Sequence, residues 1–429
     1  MAYTVLHSLA RMNRGGAETL IMNIFRHIDR SKYNFCFLLN EKECDYTKEI
    51  EELGGHIYTI PTRAAGLRTY CKALDSFLKE HKGEFDAVHM HTSSLSSLEF
   101  LYYAKKHGVK KRVIHSHNTV QAGLVHNILH WINKPVLKSL ATDYLSCSQV
   151  ASDWLYKYTG VWSKSIVVNN GVDLAQFAYE ESYRNEVRKK HGLSLNDVVV
   201  GHVGRFDVVK NHTFLIDIFE AFLQIQPKAK LLCVGVGGEL EVVKNKVKEI
   251  GLSNSVVFAG LQSEVYKYLS AFDYFVFPSL YEGLPVALVE AQASGVMTIC
   301  SSKVSPEAKL SDYLNYFELE KSAMDWAQYI QNLEVLDRNR FVNQLEVSGY
   351  NINKTVDYLY MRTSSYIFGS LMLAACIVAF NSYLPFSDYG MKVFGVLGLI
   401  QLAYSIYSWK QITGSAITPY VIFLISAYT

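Results

Sequence analysis

Short apolar runs alternate with amphipathic segments from residue 3 to residue 301. The runs predict strands buried on both faces, and the segments between them, with apolar residues every three or four positions, predict helices. In the first half the predicted strands are Tyr3–Leu9, Asn34–Leu39, His56–Ile60, Ala87–His91, Arg112–His117 and Tyr144–Cys147. The predicted helices include Ala17–Ile28, Arg68–Glu80 and Leu95–His107. This alternation is typical of crossover connections and therefore of a parallel sheet.

The alternation stops at Asn169–Asp173, continues as a polar stretch to Lys190 and then restarts. The later predicted strands are Val198–Val203, Lys230–Val234, Val256–Ala259, Tyr274–Phe277 and Met297–Ser301. The later predicted helices include Thr213–Gln224, Glu264–Ala271 and Val286–Ala293. We therefore predict an α/β fold with two doubly wound parallel-sheet domains in tandem, residues 1–168 and 169–342.

The last part of the chain, residues 362–429, has a different composition. From Thr363 onward its charged residues are Asp388, Lys392 and Lys410. Segments at about 366–384, 393–409 and 412–429 are long and apolar enough to predict membrane spans. The expected orientation places Arg362 and Lys410 on the cytosolic side, and buried soluble helices are the alternative.

Overall composition narrows the class of protein. A length of 429 residues exceeds one ordinary core. The net charge of +2 is too small to indicate a nucleic-acid partner. The seven cysteines are scattered without a C-x-x-C pair, which favours reduced thiols in the cytosol. Tyr3–Leu9 is too short for a signal peptide, so we expect the two-domain body to stay in the cytosol.

Three motifs follow predicted strands, where open parallel sheets bind ligands. Arg14-Gly15-Gly16-Ala17-Glu18 opens a helix, and its glycines would let a ligand approach the helix N-terminus. A simple tight turn is the alternative. In the second motif, Gly204-Arg205 and Lys210 supply two cations that could neutralise a diphosphate, although a solvated basic loop would look the same.

The third motif, Pro278–Ala291, carries two carboxylates, Glu282 and Glu290. Pro285 suits the first turn of a helix, and the free amides of Val286 and Ala287 could bind phosphate oxygens. Carboxylates on either side of an anion site suit a nucleotide sugar, which has hydroxyls at both ends and phosphates between them. Surface glutamates are the alternative.

Two histidine pairs, His89/His91 and His115/His117, also end predicted strands. Residues two apart share one face of a strand, so a metal site, a structural role and a substrate-facing imidazole all remain open. The basic and aromatic stretch from Tyr102 to Arg112 indicates either contact with anionic lipid or an ordinary solvated helix end.

The body, Met1 to Met361, resembles the retaining nucleotide-sugar glycosyltransferases of family 4, which have the GT-B fold of two Rossmann-like domains. The Gly-Gly-Ala-Glu, Val-Gly-Arg…Lys-Asn, Glu-x7-Glu and Asn-Gly-Val-Asp signatures of that family are all present. Arg112–Thr119, Ser146–Ser148 and Gly349–Ile352 are similar to its exopolysaccharide and capsule branch. In that branch a last helix, here 343–361, packs back on the N-terminal domain. The tail resembles the start of a multi-spanning membrane protein such as a polysaccharide polymerase.

The resemblance implies roles for particular residues. It implies a catalytic site made of His117, Arg205, Lys210 and Glu282. It implies an acceptor side with Glu18, His117 and Asn170. It implies a donor site made of Gly15, Gly16, Arg205, Lys210, Glu282, Gly283, Leu284, Pro285, Val286 and Glu290, in which Glu282 lies near the sugar and Glu290 binds the ribose. Pro285 replaces a glycine of other branches and removes one amide from the phosphate site.

The resemblance therefore implies retaining transfer of a hexosyl unit from a nucleotide-diphosphate sugar to a lipid-linked oligosaccharide at the cytosolic membrane face. We expect no metal and no cofactor, because the family usually works without a bound metal. Two alternatives remain, a catalytically silent membrane-anchored component of a polysaccharide assembly complex and a sugar-nucleotide epimerase. Nucleic acid is not an expected partner.

Overall fold

The computed structural model describes residues 2–118, 123–334, 336–338 and 348–360. Residue contacts divide the chain into Met1–Val356, which contains both sheets, and Asp357–Thr429. The predicted membrane spans at 366–384, 393–409 and 412–429 lie outside the described residues. Within the described ranges, no helix is both long and apolar enough to cross a bilayer.

The first sheet has seven parallel strands in the order β3-β2-β1-β4-β5-β6-β7. Its strands are β1 (Tyr3–Ser8), β2 (Tyr33–Leu39), β3 (His56–Thr59), β4 (Ala87–Thr92), β5 (Lys111–Ser116), β6 (Asp143–Ser146) and β7 (Ile166–Val167). The helices that accompany it are α1 (Gly16–His27), α2 (Thr47–Glu52), α3 (Leu67–Glu80), α4 (Glu99–Lys106), α5 (Gly123–Leu140) and α6 (Gln149–Tyr156).

The second sheet has six parallel strands in the order β10-β9-β8-β11-β12-β13. Its strands are β8 (Val199–Val203), β9 (Lys230–Val234), β10 (Val256–Gly260), β11 (Tyr274–Phe277), β12 (Met297–Ser301) and β13 (Leu314–Phe317). Its helices are α7 (Leu174–Phe177), α8 (Glu181–Lys190), α9 (His212–Ile225), α10 (Leu240–Glu249), α11 (Val265–Ala271), α12 (Val286–Ala293) and α13 (Ala323–Gln331).

The prediction of two tandem parallel-sheet α/β domains is confirmed. Every predicted strand is present, and its ends are displaced by no more than one residue. The predictions missed the edge strands β7 and β13, because an edge strand has one neighbour and need not be a continuous apolar run. The predicted helix at Leu95–His107 begins only at Glu99, and in the loop before it the backbone amide of Leu95 donates to His130 Nδ1.

The segment around residue 350 packs on the linker that leaves the first sheet. Val172 pairs with Asn351, and the amide of Ile352 donates to the carbonyl oxygen of Val172 at 2.9 Å. Gly171 is required there, since a Cβ on it would lie 2.4 Å from Thr355 Oγ1 and 2.8 Å from the Cα of Ile352. Helical structure follows at 352–360. This contact ties the end of Met1–Val356 to the linker between the two sheets.

A buried arginine holds α8 against the second sheet. The Arg188 side chain is fully buried, and its Nη2 lies 2.8 Å from Asp273 Oδ2. Its remaining hydrogen bonds go to backbone carbonyls, those of Ser194, Leu195, Asp197 and Ala271. Removing this one side chain therefore breaks several buried hydrogen bonds at once, although Ser194 and Ala271 keep other donors, the amide of Asp197 and Arg184 Nη1.

Arg188→Met is therefore expected to lower the free energy of unfolding by about 1.5–3 kcal/mol, because buried hydrogen bonds to a charged group are lost while Asp273 keeps its ion pair with Arg184. Urea unfolding of the full chain measures the difference. Arg30→Met, at an exposed arginine that also bonds backbone carbonyls, is the control and should change stability by less than about 0.5 kcal/mol. Equal effects of the two substitutions would show that Arg188 has no special role.

Candidate active site

The carboxyl ends of the two sheets face each other across a crevice. Arg14, in the loop after β1, donates from Nη1 to the carbonyl oxygen of Gln262 at 2.7 Å, just past the end of β10. A Cβ on Gly16 would lie 3.8 Å from Val286 Cγ2, so the first turns of α1 and α12 are close. The strand-end loops of both domains therefore border one site.

On the first-domain side of the crevice, the carboxylate of Glu18 lies close to Gly15. Gly15 is the N-cap of α1, and a Cβ on it would lie 2.4 Å from Glu18 Oε2, so the carboxylate lies over the glycine loop. Burial raises the pKa of Glu18, and the nearby charges of Arg205 and Arg11 act in the opposite direction. The charge interaction therefore places Glu18, which was predicted on the acceptor side, near Arg205, which was predicted in the donor site.

On the second-domain side, Arg205 follows β8 and its side chain is exposed. Its loop rests on the loop after β9, where Gly235 has φ +141° and a Cβ would lie 2.0 Å from the carbonyl oxygen of Gly204. A Cβ on Gly237 would lie 2.2 Å from the carbonyl oxygen of Phe206. This second glycine loop was missed, although Val-Gly-Val-Gly-Gly at a strand end was a readable signal.

The predicted cation Lys210 and the predicted carboxylate Glu282 form one ion pair. Lys210 Nζ lies 2.5 Å from Glu282 Oε1, and the side chains are only 16% and 14% exposed. The ammonium also lies 4.5 Å from the centre of the Phe277 ring. Asp207 Oδ1 accepts a hydrogen bond from the amide of Lys210 and fixes the turn before it. Glu282 has the partner that a buried carboxylate needs, and Lys210 is not a free cation waiting for phosphate.

The helix after Glu282, α12, has the predicted bounds and starts at Val286. Pro285 is its N-cap and so lies immediately before the first turn, in which it was predicted. Leu284, Pro285 and Val286 are buried, whereas Gly283 is partly exposed. The amides of Val286 and Ala287 have no carbonyl partner within the helix, and Val286 lies close to Gly16 of the first domain.

Glu290, on α12, is also a carboxyl group, but unlike Glu282 it is buried without an ion-pair partner among the described residues. It is 8% exposed, and burial raises its pKa to about 7, against a small opposing effect of Arg26. Arg26 is already bound by Glu49 through two hydrogen bonds of 2.6 and 2.9 Å. Glu290 therefore carries a charge that is costly in the free protein, a common property of ligand-binding groups.

His117 and Asn170 lie at the first sheet and the linker respectively. Burial lowers the pKa of His117 to about 4, and its Nε2 lies 2.9 Å from His91 Nδ1. Asn170 is buried, and its Oδ1 has no hydrogen-bond partner among the described residues. Within those residues, neither side chain has a hydrogen bond or ion pair with Arg205, Lys210 or Glu282.

The two predicted histidine pairs belong to a larger group. His7 on β1 joins His89, His91, His115 and His117, because β1 and β5 both neighbour β4. Two sets of three within this group have ring nitrogens within 4.8 Å of one another, the sets His7/His89/His91 and His91/His115/His117. The sequence analysis did not include His7, since its place beside β4 depends on strand order.

The cations Lys106 and Arg112 of the basic stretch from Tyr102 to Arg112 bond to other groups of the protein. Lys106 pairs with Asp75 at 2.8 Å, and Arg112 donates to the carbonyl oxygens of Val109, Lys110 and Leu140. An ordinary solvated helix end therefore describes this stretch better than a lipid-binding surface.

An exposed apolar surface lies instead on α5, which the sequence analysis did not predict. Its outer face carries large apolar side chains that are 43–77% exposed, namely Leu124, Val125, Ile128, Trp131, Ile132 and Val136. Its inner face buries the polar side chains of His130 and Lys134, with Lys134 donating to the carbonyl oxygens of Trp154 and Lys157. The same inner face also buries Leu137 and Leu140, so α5 is apolar on both faces, and an exposed apolar surface of this kind normally marks an interaction site.

Family models match both halves of the chain. Residues 14–176 match the Glycosyltransferase Family 4 model, and residues 183–360 match the model of Glycosyl transferases group 1. The chain is 32% identical over 370 residues to the putative glycosyltransferase EpsF of Bacillus subtilis, which covers 83% of this chain and 94% of EpsF. The protein therefore belongs to the group 1, family 4 glycosyltransferases.

Other relatives and a solved structure agree with this. The capsular polysaccharide biosynthesis glycosyltransferase CapH of Staphylococcus aureus is 26% identical, covering 83% of this chain and 97% of CapH. An Escherichia coli UDP-Gal:α-D-GlcNAc-diphosphoundecaprenol α-1,3-galactosyltransferase is 28% identical over 45% of this chain and 52% of its own length. The crystal structure of Anabaena Alr3699/HepE with UDP has a TM-score of 0.69 at 18% identity, covering 85% of this chain and all of that one, which identifies the fold as GT-B.

The buried Glu290 leads to a prediction about stability. Its folded-state pKa of about 7 lies above the ordinary value of 4.5, so the folded protein holds the proton at pH values where the unfolded chain has lost it. Below pH 4.5 the wild type therefore keeps its full stability relative to Glu290→Gln. It loses this stability as the pH rises from 4.5 to about 7. At pH 8 the glutamine variant is expected to be more stable, by on the order of 3 kcal/mol.

Urea unfolding of both proteins at pH 4.5 and pH 8 measures this difference. Glu249→Gln, at an exposed glutamate at the end of α10, is the matched control and should show no such dependence on pH. A difference between wild type and Glu290→Gln that is the same at both pH values would rule out the raised pKa.

Proposed function

We propose that this glycosyltransferase is a retaining hexosyltransferase that uses a nucleotide-diphosphate sugar and a lipid-linked oligosaccharide acceptor in exopolysaccharide or capsule synthesis. The observation that carries the donor assignment is the Lys210–Glu282 pair beside the start of α12, with Arg205 exposed in the same crevice. A UDP-sugar is the first donor to test, since HepE is similar in fold and binds UDP. The relation to CapH and to the undecaprenol-linked galactosyltransferase supports the pathway and the acceptor class.

The chemistry follows from where charge develops. As the bond between the anomeric carbon and the diphosphate oxygen breaks, the acceptor oxygen bonds to that carbon and its proton passes to the departing phosphate. Arg205 and the first amides of α12 stabilise the growing negative charge, and Lys210 contributes once the phosphate competes with Glu282. We expect no metal, because these groups supply the positive charge that the leaving group requires.

Retention fits same-face attack better than a covalent intermediate. Glu282 is bound to Lys210, so it is not a free carboxylate nucleophile, and Glu18 lies over the glycine loop at the start of α1. In this proposal Glu282 orients the sugar hydroxyls, Glu290 binds the ribose, and Glu18, His117 and Asn170 face the transferred sugar and the acceptor.

A lipid-linked acceptor requires the enzyme to work at a membrane, and we assign that contact to α5. Its outer face is apolar, and residues 123–140 include no Asp or Glu. Trp131 and Tyr158 extend the same surface with ring centres 6.0 Å apart, and Lys157 lies beside Tyr158. An apolar face with neighbouring cations suits insertion at the cytosolic leaflet, and the predicted spans after residue 362 would anchor the chain to the same membrane.

Arg205→Ala and Glu282→Gln are each expected to lower the rate of sugar transfer by about 100-fold or more, because each removes a group that acts on the developing charge or on the sugar. Transfer by the full chain from UDP-hexoses to a lipid-linked acceptor is followed by mass spectrometry. The anomeric configuration of the product, read by NMR, tests retention, and an inverted product would reject that part of the proposal.

Lys228→Ala is the control for these variants. Lys228 is an exposed cation before β9, at the opposite end of the strand from the crevice, and its loss should leave transfer unchanged. Full activity of Arg205→Ala or Glu282→Gln would reject the site. A wild-type protein that neither transfers nor hydrolyses any donor would favour the silent assembly component, and a product that keeps its nucleotide would favour an epimerase.

The assignment of α5 has its own test. The double variant Ile128→Asp/Ile132→Asp is expected to reduce transfer to a long-chain polyprenyl-linked acceptor in anionic vesicles by at least about tenfold, because two inserted apolar side chains are lost. Transfer to a short-chain, water-soluble analogue should be unchanged. Val242→Asp, at an exposed valine of α10, is the control. Equal losses with both acceptors, or no loss with either, would reject membrane docking by α5.

A further inference from the structure

Three histidines of the first sheet form a continuous hydrogen-bonded chain. His7 Nδ1 lies 3.0 Å from His91 Nε2, and His91 Nδ1 lies 2.9 Å from His117 Nε2. The ring planes are inclined by only 19° and 30°, with centroid separations of 5.3 and 5.1 Å. These separations are close to the largest that such N···N distances allow, so each pair of linked nitrogens lies between its ring centres. The chain runs from the buried His7 to the partly exposed His117.

This geometry fits N–H···N hydrogen bonds better than a metal site. A zinc-bound imidazole nitrogen lies about 2.0–2.1 Å from the ion, so a line of about 3 Å between two facing nitrogens leaves no room for an ion on it. Burial lowers the pKa of His7 to about 3 and that of His91 well below its ordinary value. The three rings are therefore neutral near pH 7, and each carries one N–H.

The neutral chain has two possible directions. His91 is bonded through both nitrogens, so it must donate through one and accept through the other. In the first direction His117 Nε2 donates to His91 Nδ1, and His91 Nε2 donates to His7 Nδ1. His7 then carries its own hydrogen on Nε2. That nitrogen is buried and has no partner in the described part of the chain. A buried N–H without an acceptor is rarer in proteins than an unused acceptor, which favours the opposite direction.

We propose that His7 and His91 are positioning residues that hold His117 in the tautomer with its hydrogen on Nδ1, so that His117 donates a hydrogen bond to an oxygen of the transferred sugar. In this direction His7 Nδ1 donates to His91 Nε2, and His91 Nδ1 donates to His117 Nε2. Within the described residues His117 Nδ1 has no other hydrogen-bond partner, so its N–H is available to a ligand. The role of the N–H toward a sugar rests on the proposed function, whereas the tautomer itself does not.

The tautomer can be read directly. In the full chain labelled with ¹⁵N-histidine, long-range ¹H–¹⁵N spectra distinguish an Nδ1–H ring from an Nε2–H ring, and His117→Asn identifies the His117 signals. The expected result is Nδ1–H for His117 in the wild-type protein. A predominant Nε2–H form would overturn the proposal without any variant having to fold.

Variants of His91 test the cause. The amide of His91→Asn can replace the Nδ1 donor and should preserve the His117 tautomer, whereas His91→Leu should shift His117 toward Nε2–H. His89→Leu removes a buried imidazole from the same strand outside the chain and should leave the tautomer unchanged. If His91→Leu also leaves it unchanged, His91 does not position His117. Stoichiometric Zn²⁺ binding by the wild-type chain that shifts the ¹⁵N signals of these histidines to those of metal-bound nitrogens would overturn the proposal in favour of a metal site.

The kinetic consequence separates this inference from the proposed function. His91→Leu should raise the donor KM or lower kcat by about five- to tenfold, the value of one neutral hydrogen bond, and His91→Asn should restore most of it. Equal activity of the two variants would reject the role toward the sugar. If the wild-type protein transfers no sugar, the proposed function fails, while the NMR result still decides the tautomer.

Discussion

The parallel direction of all paired strands in the two sheets is the constraint on which the site depends. Parallel strands place all their carboxyl ends at one edge, so the loops that follow them gather there. Two such edges facing each other produce the crevice, and the contacts of Arg14 with Gln262 and of Gly16 with Val286 close one part of it. Glycine at 204, 235 and 237 then lets the loops approach closely enough to present Arg205 at the surface.

Within that crevice the two glutamates of the same motif have different electrostatic environments. Glu282 is paired with Lys210, so its charge is balanced before any ligand binds. Glu290 is buried on α12, and burial raises its pKa to about 7, while Arg26, which is hydrogen-bonded to Glu49, acts in the opposite direction. Hydroxyl donors from a ribose would satisfy that carboxylate, so part of the unfavourable charge burial in the free protein is recovered on binding.

The sequence predicted the strands and the residues at their ends, because apolar runs and the loops after them are local features. It could not predict that Lys210 would bind Glu282, 72 residues away, since that contact depends on β11 lying beside β8. His7 was missed for the same reason, because only strand order places β1 next to β4. The outer face of α5 was missed because an apolar helix does not reveal from its sequence which side faces the protein.

The chain between His117 and α5 connects the two ends of the proposed reaction. Gly123, the first residue of α5, is only six positions after His117, so their Cα atoms lie within about 22 Å of each other. If α5 rests on the bilayer, the edge of the first sheet that carries His117 is held near the headgroups, where the diphosphate and first sugars of a lipid-linked acceptor lie. Docking then fixes where the acceptor meets the transferred sugar, and the histidine chain behind His117 fixes the hydrogen bond offered there.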